Sequence, residues 1–231
     1  MDDKTVVKTA VKVSMVTIIV NIVLSLLKLL AGIIGKSMVM ISDSIHSLSD
    51  VFSSVIVIIG VRVSKREEDQ EHQYGHDRME CLASLALGAI LFVTGVLLIY
   101  EGIRKIYTGE NISTPAVISI VTKEWMYWYT KLSADKINSD ALRADAWHHR
   151  SDALSSVGSL IGVAGAMLGV KILDPIMAGV IGLIIIKVAC DVVKEAVNKM
   201  VDKACDDTIV NEMKALVLSI DGVEGLDLIK T

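Results

Sequence analysis

The chain has 231 residues, 52% of them apolar, and a mean hydropathy of +0.56, which points to a membrane protein and away from an ordinary soluble domain. A formal net charge of -4, with no basic face gathered anywhere, speaks against a nucleic-acid partner. Only two prolines and 4% aromatic residues argue against a barrel, and Cys81, Cys190 and Cys205 lack the CxxC spacing of a thiolate zinc site or a disulfide framework.

The apolar residues fall into long blocks, at 11–34, 38–61, 82–100, 153–170 and 176–190. Each approaches the roughly 20 residues that carry a helix across a bilayer. The expectation is an all-α integral membrane protein with six transmembrane helices, at 7–34, 38–63, 80–107, 112–130, 139–170 and 175–203. The first block follows Met1-Asp2-Asp3-Lys4 with no small-residue cleavage site, so it reads as a retained helix and not as a signal peptide. It contains Asn21 and Lys28, and a lysine there snorkels, pairs with a neighbouring helix or lines a polar cavity. Gly32, Gly35 and Lys36 mark the turn into the second helix.

The fourth segment is awkward. Residues 112–121 are apolar but few, Pro115 sits near the start, and Lys123 and Glu124 interrupt before Trp125-Met126-Tyr127-Trp128-Tyr129. With the aromatic residues counted, the segment makes a thin crossing. Residues 131–143 read as a polar, basic connector. Gly158, Gly162 and Gly165 in the fifth helix would admit a close neighbour, and Asp174-Pro175 would cap the sixth, with proline at the first helical position. Residues 1–205 thus make one transmembrane domain. In 206–231, Met213, Leu216, Val217 and Ile220 have helical spacing before Gly222, as in a helix leading into a strand: the beginning of a cytoplasmic domain that stops before it could close a core.

Basic residues gather on one side of these crossings, at Lys4, Lys8, Lys12, Arg62, Lys65, Arg66, Arg78, Lys131, Lys136, Arg143 and the lysine-rich tail, against Lys36, Arg104, Lys105 and Lys171 on the other. That asymmetry predicts a multi-pass cell-membrane protein with both termini cytoplasmic.

Two stretches repeat across this framework. Asp43-Ser44-Ile45-His46-Ser47-Leu48-Ser49-Asp50 with Ser53-Ser54 returns as Asp145-Ala146-Trp147-His148-His149-Arg150-Ser151-Asp152 with Ser155-Ser156. Each copy sets a histidine four residues before an aspartate, and on a helix those positions share a face. Ionisable residues inside membrane helices are functional candidates by default, and His46, Asp50, His148 and Asp152 together would surround a metal ion. Two imidazoles and two carboxylates suit Zn(II), and would accept Fe(II), Co(II), Cd(II) or, less readily, Mn(II). The same groups can carry protons, so metal binding would be coupled to pH. Asp43 and Asp145, three residues before each histidine, are read as orienting or helix-pairing residues behind the ligands. The polar loop 64–80 reads either as a solvated charged face or, through Asp69, His72 and His76, as a second set of metal donors; all five histidines lie in the repeats or this loop.

The repeated HxxxD, the loop His72-Gln73-Tyr74-Gly75-His76-Asp77-Arg78-Met79-Glu80 and the run from Ala144 to Asp152 closely resemble the cation diffusion facilitator family, over nearly the whole chain. The resemblance implies a homodimeric six-helix exporter that exchanges cytoplasmic Zn(II), or a similar ion, for protons by alternating access. It assigns the transport site to His46, Asp50, His148 and Asp152, and a second metal site to Asp69, His72 and His76. Arg78 and Asp202 match a cation and an anion that pair near the family's dimer interface, and His149 matches no ligand. The C-terminal module of relatives is α/β and metallochaperone-like. The fourth helix is shorter than the family's usual segment. An intramembrane metallohydrolase lacks its HExxH here, and a metal sensor or assembly protein would use the same fold without flux.

Overall fold

The structure, a computed structural model, describes residues 2–35, 38–108, 117–168, 170, 172–220, 222–223 and 225–231. Its helices are α1 (Asp3–Ile34), α2 (Met38–Ser64), α3 (Arg78–Thr108), α4 (Val117–Ile137), α5 (Asp140–Met167), α6 (Leu173–Met200) and α7 (Asp207–Leu218). Long apolar segments with no interior proline favour helix, the one open-ended element that satisfies its own backbone in lipid. By length and composition α1, the Asp43–Ser64 part of α2, α3 up to Tyr107 and α6 could each cross a membrane. They turn Ile19, Leu26, Leu30, Phe92, Leu97, Leu183 and Ile184 outward. Such faces suit a lipid surround.

Helices α4 and α5 hold the ionisable residues and turn them inward. Lys123, Met126, Tyr127, Thr130 and Ala134 of α4 are buried, as are Ala144, Asp145, His148, His149 and Ser151 of α5. The two pack through aromatic rings: Tyr127 lies 5.7 Å from Trp147, and the Arg150 guanidinium stands 4.4 Å from the centre of the Tyr127 ring, a cation–π contact.

One apolar cluster gathers Val6, Ala10 and Val13 of α1, Val57 and Val61 of α2, Ala83 and Leu87 of α3, Ala134 and Ile137 of α4, and Ala141, Leu142 and Ala144 of α5. It closes the end of the bundle that carries the α2–α3 loop. Asp50 precedes Val57 by two turns of α2, about 10 Å along the axis, so the ionisable residues sit beneath an apolar plug.

Elsewhere the helices meet in two different ways. On α1, Ser14, Thr17, Asn21, Ser25 and Lys28 form one buried polar stripe. Thr17 and Ser54 hydroxyls are 3.0 Å apart, Ser25 Oγ donates to the Ser44 carbonyl at 2.6 Å, and Lys28 Nζ donates to Ser47 Oγ at 2.8 Å. Between helices in lipid such bonds replace the hydrophobic drive available in water. Lys28 therefore pairs with α2 and does not snorkel. By contrast, α3 and α6 meet backbone to backbone at Gly95 and Gly182, where a Cβ on Gly95 would stand 2.9 Å from the Gly182 carbonyl oxygen.

Three expectations need correction. Residues 131–137, read as a connector, continue α4, and the break is confined to Asn138 and Ser139. Asn138 adopts φ 50°, a left-handed conformation that asparagine tolerates, and Ser139 Oγ accepts the Leu142 N–H at 3.3 Å, an N-cap for α5. Secondly, Asp174 does not cap α6. The helix starts at Leu173, Pro175 falls in the first turn, where no N–H is needed, and the buried Asp174 pairs with Lys105 of α3 at 2.9 Å. Finally, no strand follows α7 among the described residues, as expected where no neighbouring strand is present to pair. The expected start of helix 4 at 112–116, with Pro115, lies outside the described residues, as do Lys36 and Lys171.

Candidate metal site

The two His/Asp pairs, 102 residues apart in the chain, meet. His46 and Asp50 come from α2, His148 and Asp152 from α5. Donor atoms of His46, Asp50 and Asp152 all lie within 4.8 Å of one another, and His148 Nε2 is 3.4 Å from Asp50 Oδ1. Asp50 and His148 are buried, while His46 is exposed. One nitrogen and two oxygen donors from two helices thus converge, with the His148 imidazole against Asp50, a set that fits a divalent transition-metal ion.

A fifth side chain enters the cluster, and it is one that the sequence reading took for an interruption. Lys123 of α4 is 4% exposed. Its Nζ donates to Asp50 Oδ2 at 2.5 Å and to Asp152 Oδ2 at 2.9 Å. The signal was present, because a lysine inside a membrane helix calls for a buried partner, but α4 carries no matching motif that would have named the partners.

The aspartates that precede the histidines differ from each other. Asp43 is half exposed and pairs with Lys28 of α1 at 2.8 Å, so it joins α1 to α2. Asp145 has no exposed surface. It accepts hydrogen bonds from Ser53 at Oδ1, 2.9 Å, and from Ser54 at Oδ2, 3.3 Å, and His149 Nε2 lies 3.5 Å from the same Oδ2. The repeated serines thus hold α5 against α2 beside the ligands. His149 stands beside Asp145 on the next turn of α5.

In the α2–α3 loop, Asp69, His72 and His76 also come together. His72 Nδ1 is 3.3 Å from Asp69 Oδ1 and His76 Nε2 is 3.4 Å from Asp69 Oδ2. The Asp69 carboxylate also accepts the backbone N–H of His72 at 2.7 Å and of Glu71 at 3.0 Å. The His72 backbone bond is the main cause that holds the Asp69 carboxyl below the usual carboxylate range. His76 is 6% exposed and its Nδ1 has no protein partner. An anionic oxygen beside two imidazoles suits a metal ion. Beyond the loop, Arg78 at the start of α3 forms an exposed ion pair with Asp202 at the end of α6, within one chain.

Residues 14–201 match the cation efflux transmembrane domain. Among relatives, an uncharacterized transporter of Methanocaldococcus jannaschii is 39% identical over 93% of this chain and 78% of its own length. Manganese efflux system protein MneS of Bacillus subtilis is 34% identical over 94% of this chain and 77% of its own. Metal tolerance protein 2 of rice is 32% identical over 89% of this chain, which spans 61% of that protein. With most of its length in that match, this chain belongs to the cation efflux family, multi-pass membrane proteins that transport metal cations and are not enzymes.

Proposed function

We propose that this protein exports a divalent transition-metal cation from the cytoplasm in exchange for protons, with Zn(II) as its cargo. The observation that carries this reading is the convergence of His46, Asp50 and Asp152 from α2 and α5 into one cluster, with His148 against Asp50. A mixed set of two imidazoles and two carboxylates favours Zn(II) by donor softness. Each donor can also take up a proton when the metal leaves, which couples efflux to a proton gradient as the site faces each side in turn. Six crossings, α4 and α5 among them, would put both termini on the cytoplasmic side with most of the basic residues. Asp69, His72 and His76 would hold a second ion near the bundle end, and two copies of the chain would form the working transporter.

Mn(II) is the second reading. It is favoured by the likeness to MneS and to MneP of Bacillus subtilis, the latter 29% identical over 95% of this chain, both described as manganese efflux system proteins. The test is purified protein in liposomes with a metal-sensitive dye inside and an imposed pH gradient, run with Zn(II) and with Mn(II). Metal uptake linked to proton movement, lost in Asp50→Ala and in Asp152→Ala, supports the reading, and the faster ion names the cargo. Transport by either variant at the parent's rate would sink it. A sensor or assembly protein would bind metal without flux.

A further inference from the structure

We propose that Lys123 is a tethered cation that occupies the metal position when the site is empty, must withdraw for metal to bind, and returns to help expel it. This rests on the transport reading above. The Lys123 ammonium is held by one carboxylate oxygen from α2 and one from α5, Asp50 Oδ2 and Asp152 Oδ2. Those two aspartates belong to the His46, Asp50 and Asp152 donor cluster. A cation bonded to both aspartates blocks a metal ion from using the same oxygens, and a metal ion bound beside it would meet strong repulsion in so buried a place. The two cations therefore exclude each other.

Lys123 also has somewhere to go. Side chains of a helix lean toward its N-terminus, and one turn in that direction Ser119 lies on the same face of α4. It is 4% exposed, and its hydroxyl has no partner. The flexible stem of lysine allows such a displacement, and Ser119 Oγ can accept the ammonium.

A competitor attached to the chain raises the apparent dissociation constant by the reciprocal of the fraction of time that it leaves the site free. If Lys123 sits on the carboxylates nine-tenths of the time or more, its removal tightens metal binding about tenfold or more. The same removal slows turnover, because protons alone then compete with the metal for its ligands on the releasing side. Binding and rate would move in opposite directions. A lysine that merely holds α4 to α2 and α5 would give weaker binding and slower transport together.

The experiment titrates Zn(II) and Mn(II) separately into the full-length protein by calorimetry at fixed pH, in a His72→Ala, His76→Ala background that removes the loop donors, and measures liposome transport of the same proteins. Lys123→Gln and Lys123→Met are expected to lower Kd and KM about tenfold or more and to lower kcat, while Lys123→Arg, which keeps a cation there, stays near the parent in Kd. Unchanged or weaker binding in the neutral variants would overturn the proposal. So would their failure to yield folded protein while Lys123→Arg folds, since that assigns Lys123 a structural role. If the parent binds no metal that depends on Asp50 and Asp152, the transport reading itself fails, an outcome distinct from parent-like binding by Lys123→Gln.

Discussion

Asp145 of α5 accepts a hydrogen bond from Ser53 Oγ of α2 at 2.9 Å, joining the two ligand-bearing helices at positions three residues from His148 and Asp50. Substituting Asp145 by alanine takes an acceptor from Ser53 and Ser54, which keep the Asp50 carbonyl and the Thr17 hydroxyl as partners, and leaves the buried His149 ring without its anionic neighbour. Each buried group left unpaired costs about 1–3 kcal/mol, so Asp145→Ala should lower the unfolding temperature in detergent markedly and weaken metal binding at the same time. Asp145→Asn retains one acceptor oxygen and should lose less. Equal unfolding temperatures for the alanine variant and the parent would show that this bond does not set the spacing of the helices.

Removing the loop imidazoles with His72→Ala and His76→Ala should reduce bound metal by about one ion per chain and leave some transport, because the loop donors are separate from those on α2 and α5. Elemental analysis of purified protein gives the first quantity and liposome flux the second. Complete loss of flux, with metal still bound at Asp50 and Asp152, would contradict that division.

Lys65 gives a pH dependence with a definite sign. Burial opposes its charge, but the hydrogen bond to Asp77 at 3.1 Å and the nearby Asp3 outweigh this and raise its pKa above the usual 10.5. A lysine whose pKa is raised by folding contributes stability in full below its unfolded value and loses it as pH rises through the folded one. The partners are largely exposed, so the contribution stays under about 1 kcal/mol. The gap in unfolding temperature between the parent and Lys65→Gln should therefore be small at about pH 8 and should close at about pH 12.

The ion pair of Arg78 with Asp202 is more exposed still, with both side chains more than half accessible. A double-mutant cycle with Arg78→Ala and Asp202→Ala in detergent-solubilised protein should give a coupling of about 1 kcal/mol or less. A much larger coupling would mean that the pair is covered when the protein assembles, as it would be at a subunit interface.

Much of this was legible from residue spacing. HxxxD twice at one offset put two histidines and two aspartates on matching faces of two helices, and long apolar runs marked α1, α2, α3 and α6 as possible spans. The α4–α5 boundary was missed because lysines at 131 and 136 suggested a solvated connector, although Asn138-Ser139 spells a left-handed stop followed by an N-cap. Lys123 was missed for another reason. Its partners lie 73 and 29 residues away, and only the packing of three helices, which no local pattern encodes, brings an ammonium between two carboxylates.

The crossing of α3 and α6 at Gly95 and Gly182 bears on how such a protein can move. With the backbones this close and Ile99 and Ile186 packed onto the two glycines, neither helix has slack to slide past the other. Any rearrangement that opens Asp50 and Asp152 first to one side of the bilayer and then to the other must carry α3 and α6 as a single lever. The give has to come from the seams around it, where hydroxyls can exchange partners with water.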